Sequence, residues 1–141
     1  MFRRSFAAGA AALAALGLSA CGGDSVTNLG VGDCFTESAI SDNTAVTNVP
    51  TVDCTQPHEY EVIGTHTHEG GDWPGAAAVE IAAYEACAAE FESYVGSLYA
   101  TSSILLVPMN PTEEGWAGGD RESLCLAQTE TRSSSVEGSG E

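Results

Sequence analysis

A long helix with a cysteine in its apolar face constrains the fold of this sequence more than any other feature. Between Pro74 and Gly96, apolar side chains recur at spacings of three and four, which predicts one amphipathic helix. Gly96 stands where a left-handed cap would end it. Because much of the apolar face is alanine, the covering layer must approach closely, and a disulfide from Cys87 would hold it there. The predicted buried face consists of Val79, Ala83, Ala86, Cys87, Phe91, Tyr94 and Val95.

The charge of the chain excludes one class of partner. The 141 residues include 20 acidic and only 4 basic side chains, for a net charge of -16. Such a surface repels nucleic acid phosphates, so we expect no nucleic-acid partner. The acidic residues are scattered along the chain, which is more typical of a solvated surface than of a cation site. The length suits one small domain with a modest core.

The N-terminus has the features of an export signal. Residues 1–20 contain two arginines and then an Ala, Gly and Leu run too short to span a bilayer, which predicts a signal peptide. The sequence LSAC ending at Cys21 is typical of a bacterial lipobox. We expect Cys21 to be lipidated, residues 21–30 to form a flexible tether, and the protein to lie on the extracytoplasmic face of the membrane. Export through the general or the twin-arginine route stays open.

The four other cysteines favour two disulfides. Their number is even and the chain is expected to be exported, while no C-x-x-C spacing indicates a zinc ribbon or a redox pair. Three pairings are possible. We favour Cys34 with Cys54, which would join neighbouring strands, and Cys87 with Cys125, which would tie the helix to the last strand.

The remaining pattern predicts an α+β domain, with one long helix packed on one face of a small, mostly antiparallel sheet of four to five strands. A short helix carrying Trp116 should begin at Asn110 and Pro111. We place the domain at residues 31–128 and predict that the Ser, Gly and Glu-rich residues 129–141 are disordered. The predicted strands are 31–35, 45–53, 59–68, 104–107 and 121–128.

The strand at 59–68 carries the strongest candidates for chemistry. Alternation places Tyr60, Val62, His66 and His68 on one face. His66 and His68 would then point the same way, as metal ligands on strands do, and Glu69 or Asp72 could complete a site. The alternative, which we favour, is that both histidines are exposed at the end of a strand.

Other polar and aromatic residues have simpler interpretations. We expect His58 to fix the turn after Cys54 through a backbone hydrogen bond. Trp73 and Trp116 either cap the core or meet a partner, since aromatic residues dominate binding hot spots. Arg121 is expected to pair with a nearby carboxylate or to contribute to an interface.

An ordered series of motifs resembles the septum formation domain family of actinobacteria. The resemblance covers residues from about 31 to 127 and implies a membrane-attached, exported protein linked to the septum or envelope. It supplies no catalytic residues. The residues that carry it are VGDC at 31–34, VDCTQPH at 52–58, Glu61, Val62, Cys87, Phe91, YVG at 94–96, Pro111, Trp116, Asp120, Arg121 and Cys125.

These observations favour a protein that is not an enzyme. No G-x-S-x-G or phosphate-binding loop is present in the sequence, and we expect no cofactor. The first hypothesis is a lipid-anchored domain that binds another envelope or division protein. The alternative is a lipoprotein that binds a small ligand or a divalent metal through His66 and His68.

Overall fold

The computed structural model describes residues 28–41 and 48–141, so the predicted signal peptide, the lipobox and most of the tether lie outside the described residues. The sheet has the order β1-β2-β4-β3, with every neighbouring pair antiparallel. No helix in the described part of the chain is long and apolar enough to cross a membrane. The elements are β1 (Cys34–Phe35), β2 (His58–Thr67), α1 (Ala76–Val95), β3 (Leu105–Met109), α2 (Glu113–Ala117) and β4 (Glu122–Arg132).

Helix α1 confirms the predicted apolar face. Gly96 follows it with φ of 85°, the left-handed conformation that glycine adopts without steric cost, and its N–H bonds to Glu92 O. The outward side is less polar than expected, because Ile81 and Tyr84 are exposed there. The fully buried side chains of α1 are Val79, Ala83, Cys87, Phe91 and Val95.

Both faces of the sheet are covered, although only one was expected to be. On the α1 side, Phe91 packs in a cluster with Ile63 and Leu106. On the opposite side, Phe35 packs with Val62 and other buried residues from the N-terminal segment and β4. The central strands β2 and β4 therefore have consecutive buried residues rather than strict alternation.

Two disulfides form as predicted, Cys34 with Cys54 and Cys87 with Cys125. The first ties β1 to the segment before β2. The second joins the middle of α1 to β4, and both of its residues are completely buried. The helix is thus linked covalently to the strand at the centre of the sheet.

A bulge in β2 makes the predicted face assignment wrong. Val62 lies opposite Leu126, but Gly64 lies opposite Cys125, so β2 advances two residues while β4 advances one. Directly opposed residues point to the same face of a sheet. Tyr60 and Val62 therefore face away from α1, whereas His66, which lies opposite Ser123, is on the α1 side.

The bulge also explains Gly64. A β-carbon at this position would stand 2.7 Å from Cβ and Cγ of Glu90 on α1. Glycine lets the helix approach the strand closely at the point where the face changes.

Three predicted elements differ from the structure. The strand at 45–53 is reduced, within its described residues, to a single bridge between Val52 and Cys34. Helix α2 begins after Thr112, whose hydroxyl accepts from Gly115 N, because the Asn110 side chain is engaged with Ser123 instead. The strand predicted at 104–107 becomes the edge strand β3, in which Leu106 packs on the α1 side and Val107 on the opposite side, while Leu105 is exposed.

The predicted boundaries of the domain are too narrow at both ends. Asn28 exchanges two hydrogen bonds with the backbone of Val49, and Leu29 is buried, so the end of the expected tether is packed. Strand β4 extends to Arg132, and Val136 is buried beyond it. The tail is therefore ordered. The carboxylate of Glu61 accepts hydrogen bonds from it, and Val136 is buried in the core. The polar composition of the tail does not reveal these contacts.

The buried disulfide gives the first testable prediction. Replacing both Cys87 and Cys125 by alanine opens a loop with a sequence separation of 38 residues. Loop-closure entropy predicts a loss of about 4 kcal/mol of unfolding free energy, measured by urea denaturation. The matched Cys34→Ala, Cys54→Ala variant, with a separation of 20 residues, should lose about 3 kcal/mol. A Cys87, Cys125 variant as stable as the parent would contradict the prediction.

Candidate functional site

Five side chains that the sequence singled out separately meet at one end of the sheet, on the α1 side. The ring centroids of His66 and His68 are 4.6 Å apart, and that of Trp116 is 5.9 Å from His68. Trp73 meets Trp116 edge to face at 5.4 Å. The guanidinium carbon of Arg121 lies 4.0 Å from the centroid of the Trp116 ring. We call these five residues the Trp116 cluster.

Four parts of the chain build the cluster. Strand β2 supplies His66, the loop between β2 and α1 supplies His68 and Trp73, and α2 supplies Trp116. The start of β4 brings Arg121 beside them, since His68 N donates to Arg121 O at 2.7 Å. The bulge in β2 is what turns the histidines toward this side of the sheet.

The backbone carbonyl of Gly71 holds the loop against the cluster. Trp116 Nε1 donates to Gly71 O at 2.9 Å, and Arg121 Nη2 approaches the same oxygen at 3.5 Å. Arg121 Nη1 donates to the carbonyls of Trp116 and Asp120 at 2.6 and 2.8 Å. The expected pairing of Arg121 with a carboxylate is therefore wrong, because backbone carbonyls and an aromatic face satisfy the guanidinium.

These contacts divide the cluster into a support and an accessible part. Trp116 is only 5% exposed and His68 only 8%, so the expectation that both histidines are exposed is wrong for His68. Trp73 and His66 are half-buried and reach solvent. Trp116 thus caps the core, which was one of the two roles expected for it, and its ring packs against the more accessible Trp73.

A chain of hydrogen bonds fixes His68. Its Nε2 lies 2.7 Å from Ser123 Oγ, and Ser123 Oγ donates to Asn110 Oδ1 at 2.7 Å. Since the serine has one proton to give, His68 Nε2 must carry a hydrogen and donate it to Ser123. In the neutral ring, Nδ1 then has the free lone pair.

The surroundings keep His68 neutral. Burial, together with the neighbouring His66, lowers the pKa of the His68 imidazole below its ordinary value, and Asp120 opposes this more weakly. A neutral ring is the form that accepts a hydrogen bond or binds a metal ion at neutral pH.

The contact between His68 and Ser123 does not make a nucleophile. Ser123 is completely buried in β4, and its proton is directed to Asn110. A serine nucleophile must donate its proton to the histidine and reach a substrate, and this hydroxyl does neither.

The described residues bring together two imidazoles but no third ligand for a metal. Neither Glu69 nor Asp72 completes a group of three with His66 and His68. Another group of three potential ligands does lie close enough together to hold a metal ion, but two of its members form a disulfide and are not free to bind one. It consists of Cys34, Cys54 and Glu61.

His58 has the structural role predicted for it. Its Nδ1 lies 2.8 Å from Gln56 O, across the turn that follows Cys54. The ring is 1% exposed, and its Nε2 is buried without a partner among the described residues. His58 lies at the opposite end of β2 from the Trp116 cluster.

The sequence analysis missed Ser123, Asn110 and the Gly71 carbonyl. Ser123 was detectable in principle, because it stands directly before the apolar run of β4, two residues from Cys125 and therefore on the same face of the strand. Asn110 looked like a helix cap. No side-chain pattern identifies a backbone carbonyl as an acceptor.

The lowered pKa of His68 predicts a pH dependence of stability. Below the ordinary histidine pKa of about 6.5, the unfolded chain takes up a proton that the folded chain does not, so stability falls as pH decreases. The unfolding free energy, measured with urea at several pH values from about 7.5 to 5.5, should change less with pH for His68→Gln than for the parent. An unchanged slope, or an imidazole NMR signal of His68 that titrates at or above the ordinary value, would contradict this.

Comparison with known proteins identifies the family. Neither the curated proteins nor the solved structures include a match to this chain. The family model for septum formation matches residues 31–140, which cover both disulfides, the Trp116 cluster and nearly all of the ordered tail. The chain therefore belongs to the septum formation family.

Proposed function

We propose that this protein is a non-enzymatic, lipid-anchored domain on the extracytoplasmic face of the membrane, and that it binds another envelope or division protein. Membership of the septum formation family supports a role related to cell division or the envelope. The lipobox ending at Cys21 supports the anchor, since two acyl chains attach a protein stably to a bilayer. The contact surface in this proposal is centred on Trp73.

The contact between Trp73 and Trp116 carries the proposal. Trp116 is fixed by its hydrogen bond to Gly71 O and by Arg121 stacked over its ring. Trp73 rests against this support at 5.4 Å while remaining half-exposed. A large aromatic side chain held in place before binding loses little conformational entropy when a partner covers it, which is the usual property of a hot spot.

The charges beside Trp73 indicate the chemistry of the partner. Glu69, Asp72 and Glu122 are exposed in the same loop or at the start of β4, while the guanidinium of Arg121 is occupied by backbone carbonyls. A fitting partner has an apolar pocket for an indole ring and basic residues around that pocket.

Site-specific photocrosslinking tests this proposal. A benzophenone amino acid at position 73 should give an adduct of defined mass in intact cells. The same group at position 84 is the matched control, because Tyr84 is an aromatic residue 39% exposed on the outer side of α1. Once the adduct has identified the partner, a pull-down with protein that carries no crosslinker should recover it with the parent and not with Trp73→Ala, at an unchanged melting temperature.

The proposed surface is wrong if position 73 gives no adduct above the uncrosslinked background, or if positions 73 and 84 give the same adducts. A partner captured equally by the parent and by Trp73→Ala would also exclude it.

Metal binding by His66 and His68 is the second candidate. Its support is the fixed orientation of His68, whose Nε2 donates to Ser123 much as metal-binding histidines donate their second nitrogen to a neighbouring group. Against it stands the lack of a third ligand among the described residues. Two imidazoles leave most coordination positions of a zinc ion to water.

A zinc titration separates the two candidates. We expect an excess of zinc not to raise the melting temperature of the protein at neutral pH, because a ligand that binds weakly to the folded state adds little stability. The variants His66→Ala and His68→Ala are measured in parallel. A rise in the parent that disappears in both variants would replace the first proposal with metal binding.

A further inference from the structure

The last segment of the chain lies across the molecule like a bound peptide. Residues 133–141, which we call the strap, follow β4 without forming a helix or strand. Gly138 N donates to Tyr94 O at 2.8 Å and Gly140 N to Val95 O at 2.9 Å. The strap thus satisfies carbonyls at the C-terminal end of α1 that have no partner within the helix.

A buried carboxylate beneath the strap accepts hydrogen bonds from the central residues of the strap. Glu61 on β2 is 1% exposed. Its Oε1 accepts from Ser135 Oγ at 2.5 Å and from Tyr94 Oη at 2.8 Å, and its Oε2 accepts from Val136 N at 2.8 Å. Burial and the hydrogen bond to Glu61 raise the pKa of the Tyr94 hydroxyl, which therefore keeps its proton and stays a donor.

A single side chain anchors the strap in the core. Val136 is the one large apolar residue in a segment otherwise made of Ser, Gly and Glu. It is 1% exposed and packs in the cluster with Ile63, Phe91 and Ile104. At the far end, Arg132 pairs with Glu141 at 2.9 Å, but the Glu141 side chain is 48% exposed, so this ion pair adds little.

Open grooves flank the strap on two sides. One, of about 620 Å³, is bordered by Ser134 and Glu141 of the strap, by Thr129 of β4 and by Ile104, which directly precedes β3. The other, of 410 Å³, is bordered by Glu137 of the strap together with residues of β2 and α1. Between the contacts of these grooves, the strap covers Glu61 and fills an apolar site with Val136.

We propose that the strap is a self-ligand in a peptide-binding groove, and that the groove accepts an extended partner peptide with a hydroxyl residue followed by a small branched apolar residue. The strap shows the required chemistry directly. A hydroxyl and the next backbone N–H bind the two oxygens of Glu61, and the branched side chain fills the apolar seat. Partner and strap then compete for one site, so binding releases residues 133–141.

Charge distinguishes a partner from the strap. In the 410 Å³ groove, Glu137 of the strap borders the same space as Glu90 of α1. The strap offers Glu90 no opposite charge here, whereas a partner with lysine or arginine after the apolar residue would complement it.

The groove is separate from the surface centred on Trp73. It is built by the strap, the C-terminal half of α1 and β2 as far as Thr65, and none of the five residues of the Trp116 cluster borders it. Failure of either proposal leaves the other intact.

Competition with a labelled peptide tests the inference. The protein is the full chain with Cys21→Ser, and the probe is a fluorescent peptide with the sequence of residues 133–141, followed by anisotropy. In the parent, the tethered strap has a high effective concentration and should exclude the peptide. The Val136→Ser variant has a weakened strap and should bind the peptide at least about tenfold more tightly.

Three further measurements establish the chemistry of the site. Adding Glu61→Gln to the Val136→Ser protein should weaken peptide binding about tenfold or more, because the amide cannot replace both acceptor oxygens. A peptide carrying Val136→Ser should not bind. A peptide carrying Glu137→Lys should bind a few-fold more tightly than the parent peptide. If this gain in affinity is absent in a Glu90→Gln protein, it is due to Glu90.

Equal affinity of the peptide for the parent and for Val136→Ser, or no saturable binding to a Val136→Ser protein with native near-ultraviolet circular dichroism, would overturn the proposal. If that variant does not fold, hydrogen exchange of the parent decides. The amides of Val136, Gly138 and Gly140 should exchange at least about tenfold faster than those of Leu124 and Leu126 in β4, through local release of the strap. Equal rates would show that the strap opens only with the whole domain, which would also overturn the proposal.

Discussion

The covalent bond between Cys87 and Cys125 is the constraint on which the rest of the structure depends. It fixes the middle of α1 over β4, and β4 is the strand to which both β2 and β3 pair. A domain of this size has a small core, so a cross-link at its centre contributes a large share of the total stability. Small residues such as Ala83 allow the close approach that the bond requires.

Much of this arrangement is readable from local sequence. The spacing of apolar residues defines α1, and Gly96 marks its end. The even number of cysteines favoured two disulfides, and the expected positions of the cysteines on neighbouring strands and on the helix favoured, among three possible pairings, the one that forms. The turn residues around Gln56 gave His58 its role. Each of these inferences uses residues within a few positions of one another or a simple count.

The sequence predicted which residues belong to the candidate site but not how they contact one another. His66 and His68 were paired by their spacing on one strand, but nothing in the sequence placed Trp73, Trp116 or Arg121 beside them. Their contact depends on an extra residue in β2, which transfers the histidines to the α1 side. The hydrogen bond between His68 and Ser123 spans 55 positions, and Glu61 meets Val136 across 75. Pairings at such distances depend on the whole fold, so composition alone described the strap incorrectly.

The position of β4 in the sheet has a consequence for how the chain acquires its structure during synthesis. β1 and β2 can pair early, but β3 has no neighbour in the sheet until residues 122–132 have been made. The partner thiol of Cys87 arrives equally late. Most of the sheet therefore forms in a late step that joins segments distant in sequence, as is typical of folds that assemble slowly. Two of the three strand pairings in the sheet therefore wait for the last strand of the chain.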